Sequence, residues 1–417
     1  MTKIVTVQYP ELRSILDNYE GGLLPYQSTD GSAPFLIIKA PKEFLLTAKI
    51  RGHFKIYLVP DVYLTDHTCG LVTAFFDDAD EPLVIKTLLA EIDIKNRKSE
   101  KLLIEILESS EFDVHFVDDH NREFLGYRAK NDAPTKIINK IKIPLISFSH
   151  DNINQYLNHL QKWFGLRTAA DDADAITISL KETLMPLDIA VIDLTAQSNV
   201  KQSNQTNRPA TLERENPGPS QESDILRLLQ RSFHSDAIFL NPVRLDNNKE
   251  ICDILVITTE IFYFIQAKDN QNTGAALNRK LERKRAKTKE QIAKASRQIQ
   301  GAIRYWKNKN ILEISVNGES MEFETTNKKV VGLIVVGELF EKDTERYLAE
   351  TMDLWLNTEK YCLILDYSDL HRITANRGSE DDFIAALDAI IQCIREEGRF
   401  PRLSFTAERI ESFLANQ

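Results

Sequence analysis

The chain has few cysteines and no long hydrophobic runs, and both absences narrow its class. Its four cysteines, Cys69, Cys252, Cys362 and Cys393, lie far apart and form no CxxC pair or Cys/His cluster with zinc spacing. They are expected to be free thiols in a reducing cytosol. No stretch approaches the roughly 20 apolar residues that a membrane-spanning helix needs. The sequence therefore predicts a cytoplasmic protein with neither a zinc site nor a membrane contact.

Three nucleotide-binding and hydrolase motifs are also missing from the sequence: GxxxxGK, GxGxxG and GxSxG. The first two bind the phosphates of nucleotides through a glycine-rich loop, and the third presents a nucleophilic serine. The chain is therefore not expected to hydrolyse a nucleoside triphosphate or to use a serine triad. Any energy-dependent step would need a partner protein.

The composition is that of a folded protein with an acidic surface. The chain has 417 residues, 42% of them hydrophobic, and a formal net charge of −10. That length allows two or three domains with sizeable cores. The acidic balance argues against a protein that coats nucleic acid with its whole surface, although a local basic patch is compatible with it.

One seam divides the sequence. Residues 197–219 are polar and rich in Pro and Gly, without a periodic apolar pattern, which is typical of a linker. The sequence thus predicts a separate α+β domain over 1–196, interpreted as a sensor, specificity or oligomerisation module. An α/β domain is predicted over 220–417. Within the first domain, the acidic run Asp118-Asp119-His120 is interpreted as a solvated turn.

The second predicted domain has a regular order of elements. Ser220 is expected to cap an amphipathic helix that ends near Phe233. Next come strands over 237–243, 251–257 and 261–268, a long charged helix over 276–307 and a hairpin over 311–324. Periodicity then predicts strands over 329–337 and 361–365 and helices over 341–353 and 379–396.

Two of these strands carry unusual polar residues. Side chains alternate between the faces of a strand, so Gln266 and Lys268 lie side by side on one face. Asp253 interrupts an apolar row in the preceding strand. A buried carboxylate is costly unless it has a cation, a hydrogen-bond network or a metal ion. Lys268, across a tight turn, is its expected neighbour.

These residues resemble a known family. The run Glu250-Ile-Cys-Asp253 and, thirteen positions after Asp253, the run Gln266-Ala-Lys268 are similar to the motif of the PD-(D/E)xK nuclease superfamily. The likeness is greatest to Mrr-type enzymes, which carry Gln in place of the second motif acid. The resemblance implies a restriction-endonuclease-like core in the C-terminal domain, with a mixed sheet flanked by helices.

The resemblance also implies roles for individual residues. Asp253 would bind Mg²⁺ (or Mn²⁺), Gln266 and the backbone carbonyl after it would complete the metal site, and Lys268 would orient or activate the attacking water. A further catalytic and metal-binding acid is expected on the leading helix, where Glu222 is preferred and Asp224 is the alternative. A polar residue on the helix after the lysine strand would be Gln298 or Gln291.

The segment that follows the motif is strongly basic. Between Asn278 and Lys309 there are twelve Lys or Arg and two Glu, so this segment carries +10 and the rest of the chain −20. Such a footprint favours sequence-independent contacts to phosphates, although a solvated charged face is its ordinary meaning. The predicted nucleic-acid contacts are Arg279, Lys280, Arg283, Lys284, Arg285, Lys287, Arg297 and Gln298.

The functional hypothesis is a magnesium-dependent endonuclease that cleaves DNA, as in bacterial antiphage defence. Its expected assembly is a homo-oligomer or a complex with another defence protein. Two alternatives stay open at this point. An amide at position 266 is a weaker magnesium ligand than a carboxylate, which allows a module that binds nucleic acid without cleaving it. RNA is the alternative substrate.

Overall fold

The computed structural model describes residues 3–19, 21–62, 67–78, 82–89, 97–135, 150–188, 211–375 and 379–401. Residues 3–188 are called the N-terminal half below, and residues 211–401 the C-terminal half. Both halves contain a mixed β-sheet flanked by helices. This confirms the prediction of mixed sheets flanked by helices. No helix among these residues is long and apolar enough to cross a membrane.

The N-terminal half is built on one eight-stranded sheet. Its strands are β1 (Gly22–Tyr26), β2 (Phe35–Lys39), β3 (His53–Pro60), β4 (Thr68–Phe75), β5 (Leu83–Leu88), β6 (Glu111–Val117), β7 (Glu123–Asn131) and β8 (Ile176–Thr183). Its helices are α1 (Val5–Gln8), α2 (Glu11–Asn18), α3 (Lys42–Arg51), α4 (Arg97–Glu108), α5 (His150–Gly165) and α6 (Ala169–Asp174). The strand order is β1-β2-β6-β7-β8-β3-β4-β5, and β2 pairs with β6 in parallel.

The C-terminal half contains a five-stranded sheet and a small three-stranded one. Its strands are β9 (Ile238–Leu240), β10 (Val243–Arg244), β11 (Ile254–Ile257), β12 (Ile261–Lys268), β13 (Ile311–Val316), β14 (Glu319–Glu324), β15 (Lys329–Val336) and β16 (Tyr361–Asp366). Its helices are α7 (Gly218–Leu229), α8 (Gly274–Leu277), α9 (Leu281–Lys307), α10 (Thr344–Thr358), α11 (Tyr367–Ala375) and α12 (Glu380–Glu397).

The five-stranded sheet has the order β16-β15-β12-β11-β9. The strand β12 is central: it pairs with β11 in the antiparallel sense and with β15 in the parallel sense. One face of the sheet, including Phe262 and Phe264, packs against α9, and the other face packs against α7, α11 and α12. Because both faces are covered, β12 and β15 are nearly continuous apolar runs, which made them readable from the sequence.

Most predicted elements of the C-terminal half are confirmed, with shifted ends. The predicted long helix divides into the short α8 and the long α9, since residues 278–280 form a turn between them. The prediction that Ser220 caps the leading helix is wrong. That helix begins at Gly218 and has Pro217 in the N-cap position, so Ser220 lies within its first turn. Pro219 lies at the second helical position, where the missing N–H of proline is not needed.

The two halves are in close contact. Of the predicted linker, residues 197–210 lie outside the described residues, while the last part packs closely: Leu212 is buried in the N-terminal core and Arg214 bridges to Asn272. The run Asp118-Asp119-His120 is not a solvated turn, because Asp118 and Asp119 are buried. Polar contacts between the halves join Lys42 to Asp269, Asp77 to Lys284, Arg122 to Asp224 and the Asp119 carbonyl to His371.

Candidate active site

Asp253 and Lys268 meet at one end of the paired strands β11 and β12. The register pairs Ile254 with Ile265, which brings the residue before β11 beside the last residues of β12. Lys268 Nζ lies 3.0 Å from Asp253 Oδ2. Both side chains are largely buried, with exposed fractions of 16% for Lys268 and 10% for Asp253. The predicted neighbourhood of these two residues is therefore confirmed.

Three oxygen atoms converge on the Lys268 ammonium. Besides Asp253, it donates to Gln266 Oε1 at 3.1 Å and to the Ala267 carbonyl at 3.0 Å. The Ala267 N–H donates to Asp253 Oδ2 at 2.6 Å, so the carboxylate is fixed from two sides. Gln266 is only 1% exposed and is directed into the cluster by strand alternation. The cluster is thus a cation held by a carboxylate, an amide and a backbone oxygen.

Glu222 joins this cluster from α7. Asn241 Nδ2 donates to Glu222 Oε2 at 3.2 Å, and the Asn241 N–H donates to the Asp253 carbonyl at 2.9 Å. Burial raises the pKa of Glu222, and the negative charge of Asp253 raises it further. The Lys268 ammonium acts in the opposite direction. Glu222 therefore lies within electrostatic reach of both site residues.

Asp224, the alternative acid, points elsewhere. It is buried among Arg122, Arg214 and Arg227, at the contact between the halves. Residues two apart on a helix differ by about 200° in direction, so Glu222 and Asp224 cannot face the same site. The assignment of Asp224 to the metal site is wrong.

Glu250 is a site residue that the sequence analysis quoted without giving it a role. The residue as a whole is exposed, but its carboxyl group is partly desolvated and shares a hydrogen bond with Asp253. Burial, then this bond and the charge of Asp253, raise the pKa of Glu250 to about 7. The signal in the sequence was its position three residues before Asp253, at the approach to the strand.

Gln221 supports the site from behind. Its side chain is 1% exposed, and its Nε2 donates to the Lys268 carbonyl at 3.2 Å and to the Val335 carbonyl at 3.4 Å. These contacts fix the end of β12 to α7 and to the neighbouring strand β15. Sequence reasoning missed this residue, because a glutamine in a helix carries no pattern of its own.

The donor set fits a magnesium or manganese ion. Within the described ranges, no group of three or more His, Cys, Asp or Glu is arranged to hold a metal. Mg²⁺ does not need one, since it retains several waters and binds through one or two carboxylates plus substrate phosphate. Asp253, the Gln266 amide and the Ala267 carbonyl supply hard oxygen donors, and all three already bind the Lys268 ammonium. Glu222 or Glu250 would add a second negative charge.

Most of the predicted phosphate contacts in the basic segment are exposed, and one of these, Lys287, pairs with the exposed Glu290 at 2.9 Å. Of the predicted phosphate contacts, Arg279, Lys280, Arg283, Lys287 and Arg297 are exposed. Two others are already engaged: Lys284 binds Asp77 and Arg285 binds Asp343, each at 2.7 Å. A phosphate would have to compete with these carboxylates, so the prediction that Lys284 and Arg285 are free to contact phosphate is wrong. The carboxylates come from distant segments, which the sequence did not show.

The two candidate glutamines on α9 differ in their contacts. Gln291 Nε2 donates to the Asp269 carbonyl at 2.8 Å, directly after Lys268. Gln298 is half-buried, and in the described part of the chain its Oε1 has no hydrogen-bond partner. Gln291 is therefore the polar residue of this helix that contacts the end of the lysine strand.

A small cavity of about 60 Å³, lined by both acidic and basic side chains, lies between the start of α9 and the N-terminal half. Its lining includes Glu43, Asp77, Asp269 and Glu338. Burial, followed by the charges of Glu43 and Asp77, raises the pKa of Glu338 to about 8. An unfolded glutamate titrates near about 4.3. The folded state therefore prefers neutral Glu338, and this preference loses its stabilising effect as the pH rises towards 8.

Glu338→Gln is expected to stabilise the protein progressively as the pH rises from about 4.3 to about 8, because over this range the unfolded glutamate is ionised while folded Glu338 is held neutral. At pH 9 the melting temperature should rise by about 2 °C or more, whereas at pH 4.5 it should match the wild type. The exposed Glu345 provides the control, since Glu345→Gln should shift the melting temperature equally at both pH values. Calorimetry at the two pH values decides the matter, and a pH-independent effect of Glu338→Gln would contradict the assignment.

Comparisons of the chain with protein-family models, with curated proteins and with solved structures gave no match.

Proposed function

We propose that this protein is a metal-dependent endonuclease with its active centre at Asp253, Gln266 and Lys268. One observation carries the proposal: the Lys268 ammonium lies within 3.1 Å of a carboxylate, an amide oxygen and a backbone carbonyl. Two further carboxyl groups, of Glu222 and Glu250, lie close enough to interact with Asp253. A lysine beside a hard-oxygen cation site suits phosphodiester hydrolysis.

The chemistry divides between the metal and the side chains. A bound divalent cation would lower the pKa of a water and offset charge on the phosphate oxygens. Asp253 would hold that cation through its formal charge, and Gln266 and the Ala267 carbonyl would supply further oxygen ligands. Lys268 stabilises the negative charge that develops on the phosphate during attack, in a site that excludes most of the solvent.

The exposed face of α9 supports a polyanionic substrate. Gln291, which contacts the residue after Lys268, is flanked one turn away by the exposed Lys287 and Lys294. Arg283 and Arg297 extend the same exposed face. Contacts from these side chains to phosphates carry affinity without sequence preference. Duplex DNA is the proposed substrate.

The test is digestion by the purified full-length chain, in parallel, of supercoiled plasmid, linear duplex DNA, single-stranded DNA and single-stranded RNA. Cleavage of duplex DNA is expected with Mg²⁺ or Mn²⁺ and none with EDTA. A preference for RNA would change the substrate and keep the site. Cleavage that persists in EDTA or in Asp253→Ala would place the activity elsewhere.

A second candidate function is nucleic-acid binding without cleavage. It is favoured by Gln266, which replaces a charged ligand by an amide, and by the ammonium bound to all three oxygens. In that case DNA would bind equally well with and without Mg²⁺, and Asp253→Asn would leave the affinity unchanged. The endonuclease proposal expects metal-dependent cleavage that Asp253→Asn abolishes.

A further inference from the structure

An arginine of the N-terminal half binds α7, the helix that carries Glu222. The Arg122 guanidinium, in the turn between β6 and β7, donates from Nη1 to Asp224 Oδ1 at 2.8 Å and from Nη2 to Asp224 Oδ2 at 3.2 Å. Its Nε donates to Asp118 Oδ2 at 2.7 Å. Arg122 is 4% exposed and Asp224 is 5% exposed. A bidentate contact of this kind fixes orientation as well as distance.

Asp224 depends on these partners. Burial by itself raises the pKa of Asp224, but the charge of Arg122 overrides it and holds this pKa well below its usual range. Arg214 adds a bond to Asp224 Oδ2 at 3.0 Å. Removing one partner of a buried, hydrogen-bonded pair is costly, because the remaining charge is left without compensation. The bidentate contact between Arg122 and Asp224, called the fork below, therefore fixes the position of α7.

The same helix reaches the site on its other faces. Gln221 binds the Lys268 carbonyl, and Glu222 lies against Asn241, which in turn binds the Asp253 carbonyl. Three of four successive positions on α7 thus connect the lysine strand, the acidic cluster and the N-terminal half. Gln221, Glu222 and Asp224 lie within about one turn of the same helix. A shift of Asp224 is therefore expected to move Gln221 and Glu222 with it.

We propose that Arg122 is a positioning residue of the C-terminal site, which makes the N-terminal half a working part of that site. The fork from Arg122 to Asp224 sets the position of α7, and α7 sets the positions of Glu222 and the end of β12. This inference rests on the proposed function, because the readout is metal binding at Asp253. It gives the N-terminal half a defined role in the chemistry.

The test is Mn²⁺ binding by the full-length chain, measured by calorimetry without nucleic acid. Arg122→Lys keeps the charge and removes the fork, and it is expected to weaken Mn²⁺ binding about tenfold, as is typical of residues that orient metal ligands. The control is Arg128→Lys, on the same hairpin, although the Arg128 side chain is 46% exposed and that of Arg122 5%. Arg128 binds Asp113 at 2.6 Å and has no bond to α7, so its variant should bind Mn²⁺ like the wild type.

A variant that lacks the Glu222 carboxylate but keeps Asp253, Gln266 and Lys268 separates positioning from general damage. In a Glu222→Gln background, Arg122→Lys should change Mn²⁺ affinity less than in the wild type, since the part of its effect that passes through Glu222 is already lost. If Arg122→Lys does not fold, Asp224→Asn, which keeps the shape of the side chain, carries the same comparison.

Two sets of variants distinguish the positioning role of Arg122 from the metal site at Asp253. If Asp253→Ala binds Mn²⁺ as the wild type does, the site itself is wrong. If Asp253→Ala loses binding while Arg122→Lys and Asp224→Asn match Arg128→Lys, the site stands and the positioning role is overturned. An equal effect of Arg122→Lys with and without Glu222 would overturn it as well.

Discussion

Replacing Lys268 with methionine is expected to reduce DNA cleavage by about 10²- to 10³-fold without weakening Mn²⁺ binding, which is the loss that removal of one charge-stabilising donor produces. The ammonium contacts the same three oxygens that are proposed to hold the metal. Removing it ends a competition for those oxygens, so the affinity for Mn²⁺ should stay the same or rise. Asp253→Asn should lose both metal binding and cleavage.

A second lysine provides the control for this experiment. Lys49 pairs with Asp188 at 2.5 Å in the N-terminal half, and its side chain is 19% exposed compared with 16% for Lys268. Lys49 bonds to Asp188 and to Glu213, at 3.0 Å, rather than to Asp253, Gln266 or Ala267, so Lys49→Met removes an equally shielded ammonium and should cleave DNA at the wild-type rate. Turnover of Lys268→Met at the wild-type rate would show that the lysine is only a structural partner of Asp253.

Neutralising the exposed basic side chains of α9 is expected to produce the second large effect. The triple variant Arg283→Gln, Lys287→Gln and Arg297→Gln should bind duplex DNA about 10²-fold more weakly at low salt, because each phosphate contact releases counterions. The slope of log affinity against log salt should fall by about three. Binding measured by fluorescence anisotropy with catalytically inactive Asp253→Asn, in Ca²⁺, gives both quantities.

A matched pair of single variants tests whether exposure decides the contribution. Arg283→Gln should reduce the salt slope by about one, whereas Arg285→Gln should leave it unchanged because Arg285 is engaged by Asp343. Both residues lie in the first turns of α9. Equal slopes for the two variants would mean that the ion pairs of this helix do not determine its contact with DNA.

The strands at the site were predictable because their pattern is local. Alternation along 261–268 places Gln266 and Lys268 on one face, and a tight turn brings Asp253 opposite them, as the bond between Asp253 and Lys268 confirms. The same logic read β12 and β15 as buried, since continuous apolar runs fit a strand covered on both faces. No knowledge of distant residues was needed for either conclusion.

The choice between Glu222 and Asp224 was not predictable, because it depends on which side of α7 meets the sheet end. Both are acids near the start of an amphipathic helix. The structure turns Asp224 towards Arg122, about a hundred positions earlier in the chain. The pairing of Lys284 with Asp77 is equally remote in sequence. Such contacts join segments that share no sequence pattern. A count of charges along the sequence therefore treats the paired side chains as if they were free.

The burial of two acids in the N-terminal half could not be predicted from the sequence either. Asp118 and Asp119 follow a strand and read as a solvated turn, yet both are buried where the two halves meet. Burial of an acid in a loop requires compensation from elsewhere, and here the Arg122 guanidinium supplies it to Asp118. The sequence showed the acids and the arginine, but it did not show that a second half covers them.

The most direct measurement of the central claim is anomalous diffraction from crystals of the protein soaked in Mn²⁺. A manganese ion is expected in contact with the Asp253 carboxylate and the Ala267 carbonyl, with the Lys268 ammonium displaced from at least one of its present oxygen partners. Crystals in which Mn²⁺ avoids Asp253 while Lys268 keeps its bonds to Asp253, Gln266 and Ala267, at concentrations that support cleavage in solution, would contradict it.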